Sequence, residues 1–329
     1  MYDSFLGRRV KNMQITATFK RKQSRLDPPA RAIRIDMHKN KYKYLLVLPV
    51  VIYLLLFCYK PMYGIIIAFK DFRASRGISG SNWVGFKHFI RAINDDYFWR
   101  AFGNTLKISF SSLLFSFPVP VALALLINEV RNERVKRVVQ TVTYMPHFIA
   151  IVIVCGIIKT FCQSGGVFND IIAVFGGERT DLLADPKWFY PIYIISDIWQ
   201  HAGWDSIIYL AALSAIDQEQ YEAASIDGAS RFQQLLHISL PGLLPTVSML
   251  LILRLGQILS VGYEKILLLY QPLTYEVADV LSTYVYRKGI IDADYSFSTA
   301  INQFNSVVNL IFLVLANRMS KKSGQSGLF

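Results

Sequence analysis

The sequence predicts an all-α membrane protein with about six transmembrane helices. Of its 329 residues, 53% are hydrophobic and 14% are aromatic, and the mean hydropathy is +0.33. These values are too apolar for an average soluble protein. Several apolar stretches also approach the roughly 20 residues that cross a bilayer. Basic residues flank these stretches, as is typical of segments whose orientation in a membrane is set by charge.

About six segments within residues 44–319 are predicted to span the membrane. The second of them contains Pro118 and Pro120, which predict a bend in its helix. The approximate ranges of the spans are 44–59, 105–127, 141–161, 189–212, 243–261 and 297–316.

Lysine and arginine predict which ends of the spans face the cytoplasm. Residues 1–43 form a strongly basic tail, and the loop between the second and third spans is also basic. Both termini, including the tail at residues 320–329, are therefore placed in the cytoplasm. The loop between the first two spans carries more basic than acidic residues although it is placed outside, but the other loops outweigh it.

A polar helical hairpin at residues 214–241 separates the fourth and fifth spans. Asp217 and Gln220 have the spacing of an N-cap and its third helical residue, and Gly228 suits the end of that helix. Ser230 begins a second helix, which is predicted to stop near Leu240 because a proline follows. Small residues on one side of the hairpin let another surface approach its backbone closely. This shape indicates a docking site.

The hairpin resembles the EAA loop of permease subunits in binding-protein-dependent ABC importers. Glu222-Ala223-Ala224 is followed at the family's spacing by Gly228, then by Ile238 and by Leu240-Pro241. The resemblance implies the type I importer fold with a cytoplasmic hairpin that docks in a cleft of the ATPase. The residues it implies for this coupling are Glu222, Ala223, Ala224, Asp227, Gly228, Leu240 and Pro241. Glu222 would either pair with a basic residue of the ATPase or remain a solvated helical glutamate.

The resemblance extends from about residue 40 to the C-terminus. Residues 61–72, 128–149 and 262–287 look like the branch of these permeases that imports oligosaccharides or polysaccharide fragments. It implies a bacterial inner-membrane permease that works by alternating access. The implied partners are a second, non-identical permease, two ATPase subunits, an extracytoplasmic substrate-binding protein and membrane lipid. The segment 263–296 would meet the binding protein.

Other classes of function find less support in the sequence. No GxxxxGK[ST] phosphate loop occurs, so no cofactor is expected in this chain, and ATP with Mg²⁺ would be bound by the partner ATPase. No recognition motif accompanies the net charge of +12, which argues against nucleic acid as a partner. Cys58, Cys155 and Cys162 lack metal-ligand or redox spacing. A secondary sugar transporter and a polytopic glycan enzyme remain the alternatives.

Two charges inside predicted spans are candidates for function, because burying a charge in a membrane is costly. Asp197 and Arg254 lie at similar depths and would be able to pair. Such a pair would either hold two helices in register or line a transport cavity. Polar and aromatic residues nearby are further candidates for a sugar path, because aromatic faces cover pyranose rings and amides bond hydroxyls. They are Trp199, Gln200, Trp204, Gln257, Asn302, Gln303 and Asn305.

The sequence also gives expectations for the cargo, for one amphipathic segment and for the histidines. The basic loop between the first two spans favours an acidic sugar, such as a uronate oligomer of alginate or pectin. The amphipathic run at residues 276–289 is expected to lie on the surface rather than to span. His147, His201 and His237 are scattered in the sequence and are expected to form neither a catalytic triad nor a ligand set.

Overall fold

The computed structural model describes residues 36, 38–322, 324, 327 and 328. The chain divides into two compact units, Met1–Gly64 and Ile65–Phe329. Most of the predicted N-terminal tail, residues 1–43, and part of the C-terminal tail, residues 320–329, lie outside the described residues. Both tails therefore stay predictions.

The first unit contains one long helical segment among its described residues. Helix α1 (Lys41–Tyr53) continues through a π-helical turn, Leu54–Tyr59, and a last α-turn, Lys60–Met62. None of the side chains in these three stretches is buried. The predicted first span, residues 44–59, lies within this segment. Apolar residues on all sides suit a helix surrounded by hydrocarbon.

The second unit opens with a short ordered loop. The chain enters this unit within a 3₁₀ helix, Tyr63–Phe69, which leads into strand β1 (Lys70–Asp71). Strand β1 pairs antiparallel with β2 (Asn82–Trp83). Helix α2 (Gly77–Gly80) lies between the strands, and helix α3 (Lys87–Ile93) follows them. This loop brings the chain to the beginning of the next long helix.

Two helices occupy the predicted second span, residues 105–127. They are α4 (Asp96–Phe115), capped by the Asp95 carboxylate, and α5 (Pro118–Glu129). Pro118 begins α5, where its missing N–H removes no helical hydrogen bond. The interruption therefore falls where the prolines predict a bend.

The third predicted span, residues 141–161, is not one helix. It crosses the end of α6 (Glu133–Tyr144), a 3₁₀ turn at Met145–Phe148 and the start of α7 (Ile151–Cys162). A proline opens the 3₁₀ turn, and the backbone leaves the helical conformation after it. The apolar composition of the segment concealed this break. Helix α8 (Val167–Val174) follows α7 after a short turn.

Helix α9 (Pro186–Ser214) is the longest of the described helices and contains the predicted fourth span, residues 189–212. The Asp185 carboxylate caps its first turn. In its middle, Gly203 lies against α6 so closely that a Cβ there would overlap the carbonyl oxygen of Thr143. The absence of a side chain at this position allows the two helices to pack backbone to backbone.

The predicted hairpin and fifth span form four consecutive helical pieces. They are α10 (Gln218–Ile226), α11 (Arg231–Gln234), a π turn (Leu235–Ser239) and α12 (Leu240–Leu255). The last three are continuous, so the predicted stop near Leu240 is wrong. The wider π turn replaces the hydrogen bonds that Pro241 would disrupt, and the Leu240 N–H bonds the Leu235 carbonyl instead. Helix α12 also ends earlier than the predicted range 243–261.

Short helices and one long helix complete the chain. The short ones are α13 (Tyr263–Leu269), a 3₁₀ turn (Pro272–Thr274), α14 (Tyr275–Ala278), α15 (Leu281–Tyr286) and a π turn (Arg287–Ile291). The long one, α16 (Tyr295–Lys322), contains the predicted sixth span, residues 297–316.

Residues 276–289 are not among the helical segments long and apolar enough to cross a membrane, but half of the run is buried inside the protein and not at a surface as predicted. Asp279, Leu281 and Tyr284 are all at most 4% exposed. The Asn104 amide of α4 donates to the carbonyls of Glu276 and Asp279 at 2.8 and 3.0 Å. Because Asn104 of α4 supplies hydrogen bonds to backbone carbonyls of this run, the run can be buried without being a transmembrane helix.

Five helical segments of the described structure are long and apolar enough to cross a membrane. They are Lys41–Phe69, Asp96–Glu129, Ile151–Val174, Arg231–Leu255 and Tyr295–Lys322. Helix α9 is not among them, although it is 29 residues long. The prediction of six spans depends on α9 and stays a prediction.

Candidate functional site

The hairpin between α9 and α12 is built by local hydrogen bonds. The Asp217 carboxylate accepts from the Glu219 N–H at 3.1 Å and so caps α10. Gly228, with φ of 79°, ends that helix. Ser230 and Gln233 then form the predicted reciprocal capping box at the start of α11. The first cap differs from the prediction, because its side-chain bond goes to Glu219 and not to Gln220.

Two side-chain bonds hold the arms of the hairpin together. The Tyr221 hydroxyl lies 2.9 Å from the Ser239 hydroxyl, and the Gln234 amide donates to the Ser225 hydroxyl at 2.9 Å. At the base of the hairpin, buried Leu243 packs with α5 and α9. The hairpin is therefore joined to the helical bundle by both packing and hydrogen bonds.

The tip of the hairpin exposes apolar surface. Ile226 is 87% exposed and Phe232 is 68% exposed. Of the predicted coupling residues, Glu222, Ala223, Asp227, Gly228 and Pro241 are exposed, while Ala224 and Leu240 are partly buried. These two side chains are candidates for a contact with another protein.

A cavity of about 710 Å³ lies among α4, α5, α9, α12 and α13. Four of the nine predicted path residues line it, namely Asp197, Gln200, Arg254 and Gln257. The others, Trp199, Trp204, Asn302, Gln303 and Asn305, do not. The ring of Trp204 instead stacks on His147, with centroids 4.6 Å apart.

Helix α9 contributes more polar side chains to the lining of the cavity than any other helix. Every fourth residue from position 193 to 209 lines the cavity: Tyr193, Asp197, His201, Asp205 and Tyr209. Such spacing places side chains on the same helix face. Asp205 was not predicted as a site residue and His201 was interpreted as an isolated histidine, although this spacing is visible in the sequence.

The predicted Asp197–Arg254 ion pair is not formed. Asp197 lies instead 3.7 Å from the ammonium of Lys265 and 3.3 Å from Nδ1 of His201. Lys265 is 5% exposed and also donates to the Tyr193 carbonyl at 3.2 Å. Lysine 265 was overlooked because it follows the predicted fifth span, whereas α13 carries it back into the bundle beside α9.

Histidines 147 and 201 are not scattered in space. Their ring centroids lie 5.6 Å apart in an edge-to-face arrangement. His237 lies on the hairpin, where its Nδ1 is 3.0 Å from the Gln233 carbonyl. Among the described residues, no group of three or more His, Cys, Asp or Glu side chains is placed to hold a metal ion.

The helical spans, the exposed hairpin and the polar internal cavity define a membrane transport protein. Residues 116–322 match the family described as binding-protein-dependent transport system inner membrane component, and the chain belongs to this family. It is the permease component of an ABC import system and not the catalytic component. This confirms the class and the fold that the hairpin motif predicts.

Several relatives share most of the chain. The polygalacturonan/rhamnogalacturonan transport system permease protein YteP of Bacillus subtilis (strain 168) is 46% identical over 296 residues, which are 90% of this chain and 92% of that protein. A chain in the crystal structure of a bacterial alginate ABC transporter, in complex with an alginate pentasaccharide-bound periplasmic protein, is 46% identical. That match has a TM-score of 0.82 and covers 89% of this chain and 98% of the other. A second structure, of an ABC transporter that imports the acidic polysaccharide alginate, matches at 47% identity with a TM-score of 0.82.

Proposed function

We propose that this permease carries acidic oligosaccharides, of the uronate type found in pectin and alginate, across the bacterial inner membrane. Similarity to permeases of pectin and alginate systems at 46% identity supports this cargo. A cavity that combines charged, amide and aromatic side chains also suits a sugar with carboxylates and hydroxyls.

The assembly would contain four further polypeptides besides lipid. A second permease completes the path, two ATPase subunits bind ATP and Mg²⁺, and an extracytoplasmic binding protein delivers the sugar. The hairpin and both termini face the cytoplasm in this arrangement, and residues 263–296 face the binding protein. The basic loop at residues 129–137 supports this orientation.

The exposed hairpin carries the proposal that ATP hydrolysis moves this chain. Its tip presents Ile226 and Phe232 beside Gly228, at which an added Cβ would meet no atom of the chain within 4 Å. Open space at a glycine permits the close approach of a second surface. Because the helix from Arg231 to Leu255 is continuous, a push on the tip reaches the cavity residues of α12 directly.

Replacing Gly228 with Trp tests the coupling role. We expect Gly228→Trp to abolish sugar uptake and substrate-stimulated ATP hydrolysis in proteoliposomes that hold the whole importer, because the indole would occupy the docking space. Membrane insertion and the elution profile of the chain should not change.

Gly85→Trp is the matched control, because Gly85 also has positive φ, 60°, with no atom within 4 Å of an added Cβ. Both variants share the backbone strain, and only one lies on the hairpin. Wild-type uptake by the Gly228 variant would refute the coupling role. Equal loss in both variants would assign the effect to backbone strain.

A comparison of oligosaccharides tests the cargo. The complete importer should take up a uronate trisaccharide in preference to the same trisaccharide with its carboxyl groups reduced to alcohols. Uptake of radiolabelled sugars into proteoliposomes measures this directly. Equal uptake of the two, or preference for the neutral sugar, would contradict the acidic cargo while leaving the permease role intact.

A further inference from the structure

Arg254 is an unpaired cation in the transport cavity. It lies in the last turn of α12 and lines the cavity. Its Nη2 donates to the Ser112 hydroxyl at 3.3 Å, and among the described residues it forms no ion pair within 4.0 Å. A guanidinium has five N–H donors in a planar fork. Most of its hydrogen-bonding capacity is therefore unused.

No acidic residue of the cavity forms an ion pair with Arg254 within 4.0 Å, although Asp197 and Asp205 interact with it electrostatically over longer distances. Asp197 is held by Lys265 and His201 at 3.7 and 3.3 Å. Asp205 and Glu264 also line the cavity, and neither forms an ion pair with a described residue. The cavity thus holds fixed charges of both signs at separate points.

The second cation of the cavity is in a different state. Lys265 is 5% exposed, and its ammonium bonds the Tyr193 carbonyl, approaches Asp197 and lies 4.7 Å from the centre of the Tyr193 ring. Its partners are supplied by α9 of the same chain. Lys265 therefore stabilises the contact between α9 and α13, which leaves Arg254 as the cation available to a ligand.

A charge within a membrane-spanning helix is costly unless it meets a counter-charge or water. An arginine fork matches a carboxylate, with two parallel hydrogen bonds that a neutral group does not reproduce. Ser112 and Gln257 line the cavity beside Arg254 and offer a hydroxyl and an amide. Together the three side chains suit a group that carries a carboxylate next to hydroxyls, as a uronate ring does.

We propose that Arg254 binds a carboxylate of the sugar during passage and so selects uronate over neutral oligosaccharides. Ser112 holds the guanidinium toward the cavity, and Gln257 bonds a ring hydroxyl. This inference rests on the proposed acidic cargo and adds the residue that recognises it. It differs from a structural role, in which Arg254 would pair with a carboxylate of the second permease.

The experiment measures uptake by the complete importer in proteoliposomes for a uronate trisaccharide and its carboxyl-reduced counterpart. The variants are Arg254→Gln, which removes the charge, and Arg254→Lys, which keeps the charge without the fork. Lys107→Gln is the matched control, because Lys107 is an exposed cation of α4 that does not line the cavity. Co-purification of all subunits checks assembly.

We expect Arg254→Gln to lower kcat/KM for the uronate roughly ten- to a hundredfold, as loss of a hydrogen bond between charged groups predicts. Uptake of the reduced sugar should change less than about twofold. Arg254→Lys should show an intermediate loss for the uronate, and Lys107→Gln should behave as wild type.

Equal losses for both sugars, or a failure of both Arg254 variants to assemble, would overturn the proposal in favour of a structural role. Unchanged discrimination in Arg254→Gln, with wild type preferring the uronate, would overturn it while leaving the acidic cargo in place. A wild-type importer without preference for the uronate would refute the proposed cargo, and the role of Arg254 would fall with it.

Discussion

Gly203 sets how closely two helices of the bundle pack. A Cβ at this position would overlap the Thr143 carbonyl of α6. We therefore expect Gly203→Ala to destabilise the protein by about 1–3 kcal/mol, the usual cost of overpacking. The shift in melting temperature of the detergent-solubilised protein measures it.

Gly103→Ala provides the control for this prediction. Gly103 lies within α4, where an added Cβ would meet no atom within 4 Å. The melting temperature of the Gly103→Ala variant should be equal to or slightly above that of wild type, because alanine favours a helix. A Gly203 variant as stable as the Gly103 variant would show that α6 and α9 separate more readily than the structure indicates.

The burial of His88 predicts that the stability of the protein depends on pH. It lies in α3 outside the spans and is 4% exposed, and this burial holds its pKa below the ordinary value of 6.5. Asp294 and Asp71 oppose the shift, as does the Lys70 backbone, while Lys87 adds to it. The unfolded chain takes up a proton near pH 6.5 and the folded chain does so only below it. The stabilisation by neutral His88 is thus complete above that pH and is lost as pH falls toward the folded pKa.

We predict that the melting temperature declines from about pH 7 to about pH 5.5 and that His88→Leu makes this decline shallower. The exposed His237 is the control, because replacing it with Gln should leave the decline unchanged. A profile that is flat in wild type, or equally steep in the His88 variant, would contradict the assignment.

At the scale of elements, α4 holds the buried run 276–289 in place. The Asn104 amide bonds two carbonyls of this run, and the Thr105 hydroxyl accepts from the Leu281 N–H at 2.9 Å. Without Asn104, one buried and one partly buried carbonyl would lose this donor, which costs more than loss of an exposed bond. We predict that Asn104→Ala increases hydrogen exchange across residues 276–287.

Asn302→Ala is a suitable control because Asn302 is exposed on α16. In the Asn302→Ala variant, hydrogen exchange of residues 276–287 should match that of wild type. Unaltered exchange in the Asn104 variant would mean that packing alone fixes the run, since the two hydrogen bonds would then contribute nothing measurable.

Elements were predictable where the signal is local. The capping box at Ser230, the break beside Pro118 and the hairpin glycine at position 228 are all encoded within a few residues, and the structure has each of them. The π turn before Pro241 was not predicted, because a widened turn lets a helix continue past a proline that otherwise marks a boundary.

The cavity was harder to predict because its chemistry depends on long-range packing. The polar face of α9 has a four-residue spacing that the sequence displays, and it carries Asp197. The partner of Asp197 lies 68 positions away in α13 (265 − 197). Arg254 was predicted as the partner because it lies at a similar depth in the membrane to Asp197. The actual partner is Lys265, because the chain turns back into the bundle after α12 and forms α13. No local pattern specifies that return.

At the scale of the whole molecule, one continuous helical stretch joins the exposed hairpin, which we propose as the docking element, to the polar cavity. The exposed tip of the hairpin and Arg254 belong to the two ends of the helical stretch Arg231–Leu255. In the proposed mechanism, a rigid displacement at the tip would be transmitted to the cavity, because this stretch has no non-helical interruption. Coupling between ATP hydrolysis and transport requires such a connection.

The most direct test of this account is the sidedness of the hairpin. In a variant without the native cysteines Cys58, Cys155 and Cys162, a cysteine introduced by Ala224→Cys should react with a membrane-impermeant maleimide in inside-out vesicles. It should not react in right-side-out vesicles, and bound ATPase should protect it. Labelling from the extracytoplasmic side would contradict the account.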